Sequence, residues 1–199
     1  MRVVLADDHQ IFRDGIKLLL EGRTSHQVVA ETGDAGALKA LVHQHRPDML
    51  VLDYHMPGGE ITALVDYFKK SYDGLKVVIL TGAQSGALFS RLRKAGADAI
   101  LIKAGSGQHL LDAIDQVARG RRVFTDDVVA AMDEQDVDLT MREFQVLQLL
   151  CQGLTSAEIA ERFSLSERTV GKHRENTFRK MHVSSVPQLI NRARELGLL

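Results

Sequence analysis

The sequence has a single cysteine, Cys151, among its 199 residues. One cysteine cannot close a disulfide within the chain, and such a composition suits a reducing compartment, so we expect a cytoplasmic protein. The cysteine lies in an apolar helical pattern, which favours a small core residue over a reactive thiol.

Long apolar runs are also missing. No run approaches the roughly 18 residues that a membrane-spanning helix needs, so we expect no membrane partner. Asp7 and Asp8 interrupt the first apolar segment too early for a secretory signal peptide. With 45% hydrophobic and 26% charged residues, the composition is that of a globular protein whose length suits one medium and one small domain.

Neither sign of charge dominates, since the formal net charge is −1, but the charges are unevenly spread. Residues 1–124 carry 16 Lys and Arg against 14 Asp and Glu, whereas residues 125–138 carry none against 6. Residues 139–199 carry 9 against 6, which permits nucleic-acid binding without requiring it. The acidic stretch indicates a boundary, although a short solvated helix over Val128 to Met132 would also fit. The predicted divisions are a domain at 1–121, an acidic linker at 122–137 and a second domain at 138–199.

Five short runs rich in Val, Ile and Leu occur in the first 124 residues: "RVVLAD", "QVVAET", "MLVLDY", "KVVILTG" and "AILIK". Such runs are typical of strands buried on both faces. Amphipathic segments separate them, at about residues 10–22, 34–45, 60–71, 86–95 and 107–119. The alternation predicts the α/β class, with a five-stranded, doubly wound parallel sheet.

The last 60 or so residues contain helix-start signals and no comparable strand. "TMRE" and "TSAE" have the spacing of a capping box, with Thr140 before Glu143 and Thr155 before Glu158. Two further helix starts are indicated by Ser166 and by "SSVPQ", and Gly153 and Gly197 stand where helices would end. The pattern predicts an all-α domain of four helices in which the second and third are separated only by "FSLS". Such tight pairs serve in DNA recognition but are also ordinary packing units.

Polar residues stand where four of the predicted strands end. Asp7 and Asp8 follow the first strand, and Asp53, Thr81 and Lys103 end the third, fourth and fifth. In a parallel sheet these positions share the carboxyl edge, where such folds place their functional sites. Three carboxylates, a hydroxyl and an amine are therefore expected to converge.

Crowded carboxylates repel one another, and a hard cation such as Mg²⁺ among them offsets the repulsion. The cation would organise phosphate oxygens around an attacking carboxylate, so Asp53 is the candidate nucleophile that forms an aspartyl phosphate. Lys103 would pair with the phosphoryl group, and Thr81 would hydrogen-bond to one of its oxygens. "PGG" after the strand turns the chain away and exposes the Asp53 carboxylate.

Each residue by itself has a plainer interpretation. Asp7 or Asp8 would also suit a helix cap. Thr81 before a glycine would suit a turn, and Lys103 would suit a partly exposed surface lysine. His9 and His55 lie beside the acidic residues and leave a histidine-ligated transition metal as an alternative to Mg²⁺.

Two sets of motifs resemble a known family. "VVLADDH", "VLDYHMPGG", "VVILTG" and "GADAILIK" resemble the receiver domain of two-component response regulators, a flavodoxin-like fold. "LTMREFQVLQLLCQGLTSAEIAERFSLSERTVGKHRENTFRKMHV" resembles the LuxR-type helix-turn-helix. Together they resemble the NarL/FixJ family over nearly the whole chain.

The resemblance implies a transcription regulator that is phosphorylated on Asp53 by a sensor histidine kinase and is not an enzyme. Asp7, Asp8 and Asp53 would hold Mg²⁺, and the backbone carbonyl of His55 would complete the protein ligands. Phosphorylation would favour dimers bound to double-stranded promoter DNA. The last helix, around Val186–Arg194, is the expected dimer contact.

One position departs from the family pattern. Receivers usually carry Tyr or Phe three residues before the lysine, and here that switch position, which works with Thr81, is Ile100. Gly105 and Ser106 also follow Lys103 where other residues are commoner. We expect the phosphorylation chemistry to survive and the switch to be weaker, differently wired or partly independent of phosphorylation.

The third C-terminal helix, from about Glu167 to Met181, is expected to enter the major groove. Val170, Phe178 and Met181 should pack inward. Base readout is assigned to Lys172, Glu175 and Asn176. Contacts to phosphates are assigned to Thr169, His173, Arg174 and Arg179. An exposed face of solvated salt bridges is the alternative for the charged positions.

Two other functions remain open at this point. An orphan regulator would bind DNA without phosphorylation and use the receiver for dimerisation or ligand binding, which Ile100 favours. An Mg²⁺-dependent phosphohydrolase would need a second positioned acid after Asp53 and a substrate pocket, and the sequence has no suitable acid there.

Overall fold

A computed structural model describes residues 1–82, 85–134, 139–196 and 198. The chain divides into two compact units, Met1–Gln84 with Phe89–Ala130, and Ser85–Leu88 with Ala131–Leu199. Among the described residues, every helix is too short or too polar to cross a bilayer.

The first unit contains a parallel sheet with the strand order β2-β1-β3-β4-β5-β6. The strands are β1 (Arg2–Ala6), β2 (Gln27–Thr32), β3 (Met49–Asp53), β4 (Lys76–Thr81), β5 (Ala99–Ile102) and β6 (Val123–Phe124). The helices between and after them are α1 (Gln10–Arg23), α2 (Leu38–His45), α3 (Ile61–Ser71), α4 (Gly86–Lys94), α5 (Gly107–Ala118) and α6 (Asp126–Glu134). The α/β class and the doubly wound parallel sheet are confirmed.

The sheet has one strand more than the five that were predicted. Val123 and Phe124 pair in parallel with Ala99 and Ile100. Two residues are too short a run for periodicity to signal, so only the pairing with β5 defines β6. This strand and α6 lie in the stretch predicted as a linker, whose boundaries stay a prediction.

Both faces of the sheet are buried, because successive strand residues point to opposite sides. Ile16 and Leu20 of α1 and Ile114 of α5 pack on one face against Leu5 and Val51. The intervening strand residues are fully buried on the other face: Val4, Leu50, Leu52, Ile79 and Ile100. A strand that is buried on both sides appears in the sequence as an unbroken apolar run. This explains why five of the six strands could be predicted from the sequence.

The second unit contains the four predicted C-terminal helices, α7 (Met141–Cys151), α8 (Ser156–Phe163), α9 (Glu167–Lys180) and α10 (Val186–Glu195). Thr140 and Thr155 form complete capping boxes, and Ser166 and Ser185 cap α9 and α10. Gly153 follows α7 with φ 90°. Gly197 lies outside the described residues.

Candidate functional site

The carboxyl ends of β1, β3, β4 and β5 bring the predicted polar residues to one edge of the sheet. Asp53 pairs with Leu80 across β3 and β4, and Thr81 pairs with Ile102 across β4 and β5. Asp7 directly follows β1, which lies beside β3. The strand order reverses at β1, and the crevice beside such a reversal is where open α/β sheets bind ligands.

Lys103 joins the two buried carboxylates of this edge. Its Nζ lies 2.8 Å from Oδ2 of Asp7 and 2.9 Å from Oδ2 of Asp53. Asp7 is fully buried and Asp53 is 1% exposed, so the prediction that the Asp53 carboxylate is exposed was wrong. One ammonium therefore serves two carboxylates that arrive from different strands.

Burial raises the pKa of Asp53, and the nearby Asp7 raises it further, while Lys103 and the backbone N–H of His55 act in the opposite direction. Burial lowers the pKa of Lys103, but its hydrogen bonds to Asp53 and Asp7 outweigh that effect and raise it. Burial is therefore the main cause that keeps the pKa of Asp53 above its ordinary value.

Asp7, Asp8, His9 and Asp53 each offer one ligand atom, and these atoms lie within 4.8 Å of one another. Asp8 and His9 are exposed, and Nδ1 of His9 lies 2.8 Å from Oδ1 of Asp8. Three carboxylates against one imidazole suit a hard cation such as Mg²⁺ better than a softer metal. The side chains present fit the predicted cation.

The remaining predicted residues lie around Asp53. The N–H of His55 donates to Oδ1 of Asp53 at 3.2 Å. Thr81 is fully buried at the end of β4, and its carbonyl accepts from the N–H of Lys103 at 2.8 Å. Ile100 is fully buried within β5, so the switch position holds an aliphatic core side chain with no hydrogen-bonding group.

Sequence reasoning missed two residues of α1 that support this edge. The ring of Phe12 lies 4.7 Å from Nζ of Lys103, and Arg13 donates to the carbonyl of Asp7. Both lie a few residues after the first acidic pair, but only the docking of α1 on the sheet brings them there.

The loop after Asp53 is held by a close contact that the sequence did not reveal. Gly58 has φ +89°, and a Cβ built on it would lie 1.6 Å from Oδ1 of Asp34. The N–H of Ala35 donates to the carbonyl of Pro57 at 2.8 Å. Gly58 therefore has a specific reason to be glycine: the left-handed backbone and the neighbouring carboxylate leave no room for a side chain.

In the second unit, α9 presents the charged side chains assigned to DNA. Lys172, Glu175 and Arg179 are exposed, as expected, whereas the other four assigned residues are half-buried. Their contacts are local. Thr169 pairs with Ser166, Asn176 accepts from Arg179, the guanidinium of Arg174 lies over the ring of Phe178, and the carbonyl of His173 accepts from Thr177.

The inner face of α9 differs from the prediction at one position. Val170 and Met181 are buried, but Phe178 is half-buried and Thr177 is fully buried in its place. The hydroxyl of Thr177 donates to the carbonyl of His173 at 2.8 Å and lies 3.2 Å from the carbonyl of Glu143. These contacts satisfy a polar side chain that the hydrophobic pattern could not mark as core.

The helix is also fixed to α7 by an ion pair. Nζ of Lys180 lies 2.7 Å from Oε2 of Glu143, whose side chain is 4% exposed. Burial acts against the carboxylate form of Glu143, but hydrogen bonds from Lys180 and Thr140 outweigh it and lower its pKa. The cap of α7 and the end of α9 therefore share one carboxylate.

The fold and the two sites define a receiver-type sheet domain joined to a helix-turn-helix domain. The family described as the response regulator receiver domain matches residues 3–115. The family described as bacterial regulatory proteins, luxR family, matches residues 137–193. The chain belongs to the NarL/FixJ family of two-component response regulators.

Relatives of known type support this assignment. The nitrate/nitrite response regulator protein NarP of Escherichia coli is 33% identical over 92% of this chain and 90% of its own length. The oxygen regulatory protein NreC of Staphylococcus epidermidis is 29% identical over 100% of this chain and 99% of its own. The solved structure of RcsB from Salmonella enterica serovar Typhimurium, bound to the promoter rprA with the phosphomimetic BeF3⁻, is 26% identical with a TM-score of 0.80, covering 96% of this chain and 97% of that one.

Proposed function

We propose that the chain is a transcription regulator that a sensor histidine kinase switches by transferring a phosphoryl group to Asp53. The observation that carries the proposal is the placement of the Lys103 ammonium, 2.8 and 2.9 Å from the buried carboxylates of Asp7 and Asp53. A buried nucleophile, a second acid and a cation at one sheet edge are the groups that phosphoryl transfer to a carboxylate requires.

In the transfer, an Oδ atom of Asp53 attacks phosphorus while the bond from phosphorus to the kinase histidine breaks. The electron pair of that bond leaves with the imidazole nitrogen. Lys103 then pairs with a phosphoryl oxygen, and the hydroxyl of Thr81 hydrogen-bonds to another. When bound by Asp7, Asp8, Asp53 and the carbonyl of His55, Mg²⁺ supplies charge neutralisation for the phosphoryl oxygens.

The new phosphoryl group stabilises the active conformation by its contacts with Thr81 and Lys103. Ile100 cannot follow the hydroxyl by a ring movement, because isoleucine has no ring. Its aliphatic side chain is fully buried. The shift between inactive and active states therefore relies on the movement of Thr81. We infer a smaller shift than an aromatic relay gives.

We infer that α9 binds double-stranded promoter DNA in the major groove. Lys172, Glu175 and Asn176 read bases, and phosphates are bound by Thr169, His173, Arg174 and Arg179. A homodimer, joined through α10, would place two such helices on the two halves of a site. This function belongs to the cytoplasm, where the promoter and the kinase domain meet.

The test is intact-mass spectrometry after incubation with Mg²⁺ and acetyl phosphate. The wild-type chain should gain one phosphate, and Asp53→Asn, which keeps the shape of the side chain, should gain none. No gain by the folded wild type would remove this donor from the proposal. If beryllofluoride with Mg²⁺ also failed to bind, phosphorylation of Asp53 would be overturned.

An orphan regulator is the second candidate, because the switch position holds Ile100. In that case DNA affinity would be the same for the wild type with and without phosphate and for Asp53→Asn. Turnover of generic phosphate esters, which we do not expect, would instead indicate a phosphohydrolase.

A further inference from the structure

A cleft of about 1150 Å³ lies within the first unit, beside the β5–α5 connection. It is bounded by the N-terminal half of α1, by α5, and by residues 123–127 on the other side of α5. Leu80 of β4 and Leu101 of β5 also line the cleft, so it reaches the sheet. Its volume is slightly larger than the range of roughly 300–1,000 Å³ that is usual for sites of small organic molecules.

The walls of the cleft are mainly apolar. Ile16, Leu80, Leu101 and Leu110 line it and belong to the buried core, and Phe12 packs against that core from α1. Covering an apolar surface of this shape lowers the free energy, because water is excluded from it. A ligand that fits the cleft therefore has an apolar or aromatic body.

One buried polar atom in the wall of the cleft makes no hydrogen bond within the fold. In the described part of the chain, the Oγ1 atom of Thr125 is buried without a hydrogen-bond partner, and Thr125 lines the cleft. A buried hydroxyl without a partner is unfavourable, and a rotation about χ1 that turns it into the cleft would let a polar group on a bound molecule satisfy it. The ligand therefore carries at least one hydrogen-bonding group.

The charges around the cleft favour a positively charged group on the ligand. Two of the basic residues that line it are already engaged, Lys103 with Asp7 and Asp53, and His9 with Asp7 and Asp8. His109 is the third basic residue of the lining. The acidic residues of the lining outnumber it: Asp112, which accepts a hydrogen bond from Gln108, and Asp126 and Asp127.

We propose that this cleft is a binding site for a small organic amine with an apolar or aromatic body. The body lies on Phe12 and the sheet residues beneath α5, and the amine lies toward Thr125 and the acidic side chains. The cleft adjoins the acidic edge, because Lys103 and His9 line both, but its apolar part extends away from Asp53.

Phe12 gives the two sites a further link. The ring of Phe12 lines the cleft and lies 4.7 Å from Nζ of Lys103. A molecule that displaces or fixes this ring changes how Lys103 is held against Asp53. This consequence, a changed phosphorylation rate, rests on the proposed function, whereas binding itself does not.

Binding is tested by titrating the ¹⁵N-labelled full chain with 1-naphthylmethylamine, and in parallel with naphthalene-1-acetate, which has a similar body and the opposite charge. Two α1 variants are compared. A Cβ on Gly15, which lines the cleft, meets no described atom within 4 Å outside its own surroundings on the helix, and the same holds for Gly22, which does not line it. Gly15→Phe therefore fills the cleft, and Gly22→Phe is its matched control.

The amine should bind the wild type and Gly22→Phe at one saturable site, with amide shifts at Gly15, Leu110 and Thr125. We expect affinity to fall at least about tenfold in Gly15→Phe and to be at least about fivefold lower for the acetate. If Gly15→Phe does not fold, Gly15→Leu replaces it. Absence of saturation, equal binding by Gly15→Phe, shifts outside the cleft, or equal binding of the acetate would overturn the proposal.

A second readout covers the coupling to Asp53. At saturating amine, the rate of mass gain from acetyl phosphate should change at least about twofold in the wild type and not in Gly15→Phe. An unchanged rate would overturn the coupling alone. Because the titration needs neither Mg²⁺ nor a phosphodonor, failure of the amine to bind and failure of Asp53 to accept phosphate are separate results.

Discussion

Lys103 holds an unusual position, because it is the one cation within 3 Å of two buried carboxylates from different strands in the described part of the site. Removing one partner from a buried ionic group leaves the others uncompensated, which is commonly worth about 3–5 kcal/mol. A bound divalent cation and Lys103 therefore contribute to the same electrostatic balance. The site without metal is stabilised by its lysine.

Replacing this lysine should strengthen cation binding while weakening the chemistry. We expect Lys103→Met to bind Mg²⁺ at least about tenfold more tightly, because one positive charge about 3 Å from both carboxylates is lost. Its phosphorylation by acetyl phosphate should be slower than that of the wild type. Isothermal titration and intact-mass kinetics measure the two effects.

Lys70→Met is the matched control, since Lys70 pairs with Asp66 on the surface and its side chain is 73% exposed. It removes the same charge and should leave both quantities unchanged. Mg²⁺ affinity that is equal or lower in Lys103→Met would show that Lys103 and the cation do not compete.

Gly58 sets the course of the loop that follows the nucleophile. Gly58→Ala should destabilise the first unit by about 1–3 kcal/mol, because it adds strain at φ +89° and a collision with Asp34. The expected measurement is urea unfolding followed by tyrosine fluorescence, since the three tyrosines all lie in the first unit.

Gly74→Ala separates the two causes. Gly74 has φ +78°, but no described atom outside its immediate neighbours lies within 4 Å of a Cβ built on it. Gly74→Ala should add only the strain of the left-handed backbone. It should therefore lower the free energy of unfolding less than Gly58→Ala does. An equal loss in both variants would remove the contact with Asp34 as a cause.

At the scale of the helices, α9 is positioned by α7 through polar contacts as well as apolar ones. Glu143 completes the cap of α7 with Thr140 and pairs with Lys180 at the end of α9. The hydroxyl oxygen of Thr177 also lies 3.2 Å from the carbonyl oxygen of Glu143. The orientation of α9 therefore depends on a carboxylate whose pKa is lowered in the folded protein.

The ionisation of Glu143 predicts that the stability of the second unit depends on pH. The folded pKa of Glu143 is lowered, so its stabilising contribution is complete above the unfolded value near 4.3 and is lost as pH falls through the folded pKa. Glu143→Gln should lose about 1–3 kcal/mol of local stability at pH 7 and less at low pH. Amide hydrogen exchange across α7 and α9, corrected for intrinsic rates, measures it.

Glu158→Gln provides the comparison, because Glu158 closes the capping box of α8 in the same way but is exposed and has no lysine partner in the described contacts. Glu158→Gln should reduce the hydrogen-exchange protection of α7 and α9 less than Glu143→Gln does. The proposed role of Glu143 fails if the two variants lose protection in α9 equally.

Helix ends were easier to predict than short strands, for a local reason. A capping box needs only two residues three positions apart, so Thr140 and Glu143 were recognisable in the sequence and are paired as expected. β6 has only two residues and exists because β5 offers it a pairing edge. The residues of β6 therefore carry no local signal that a strand forms there.

For the whole molecule, recognition of DNA should depend on charge at one helix. Lys172→Ala should lower affinity for a specific promoter site by about 1–3 kcal/mol and relax the base preference at one position. Lys39→Ala, on α2 of the first unit, removes the same charge and should change little. Fluorescence anisotropy with wild-type and single-base variant sites tests both, and a loss that is uniform across sequences would assign Lys172 to phosphate.

Phosphorylation should couple the two sites through the population of the active state. With beryllofluoride and Mg²⁺ we expect the wild type to dimerise more tightly and to bind promoter DNA more tightly, by about 1–3 kcal/mol. Asp53→Asn should not respond. Sedimentation and anisotropy on the same samples measure the two effects, and no response in either would favour the orphan regulator.

The sequence by itself determined the features that depend on local pattern. Buried parallel strands appear as apolar runs, helix starts carry capping residues, and Asp7, Asp53, Thr81 and Lys103 occur where those runs stop. Because strand ends in a parallel sheet share an edge, the convergence of these side chains followed without coordinates. The two domain types followed from their motifs.

Only the tertiary structure decided the contacts between segments that are distant in the chain. It placed Phe12 beside Lys103, Asp34 against Gly58, and Thr177 and Lys180 against α7. It also formed the cleft beside the β5–α5 connection, whose lining comes from α1, the sheet, α5 and residues 123–127. No periodicity encodes such contacts, because they depend on how helices dock, and docking is set by the shape of the whole packed core.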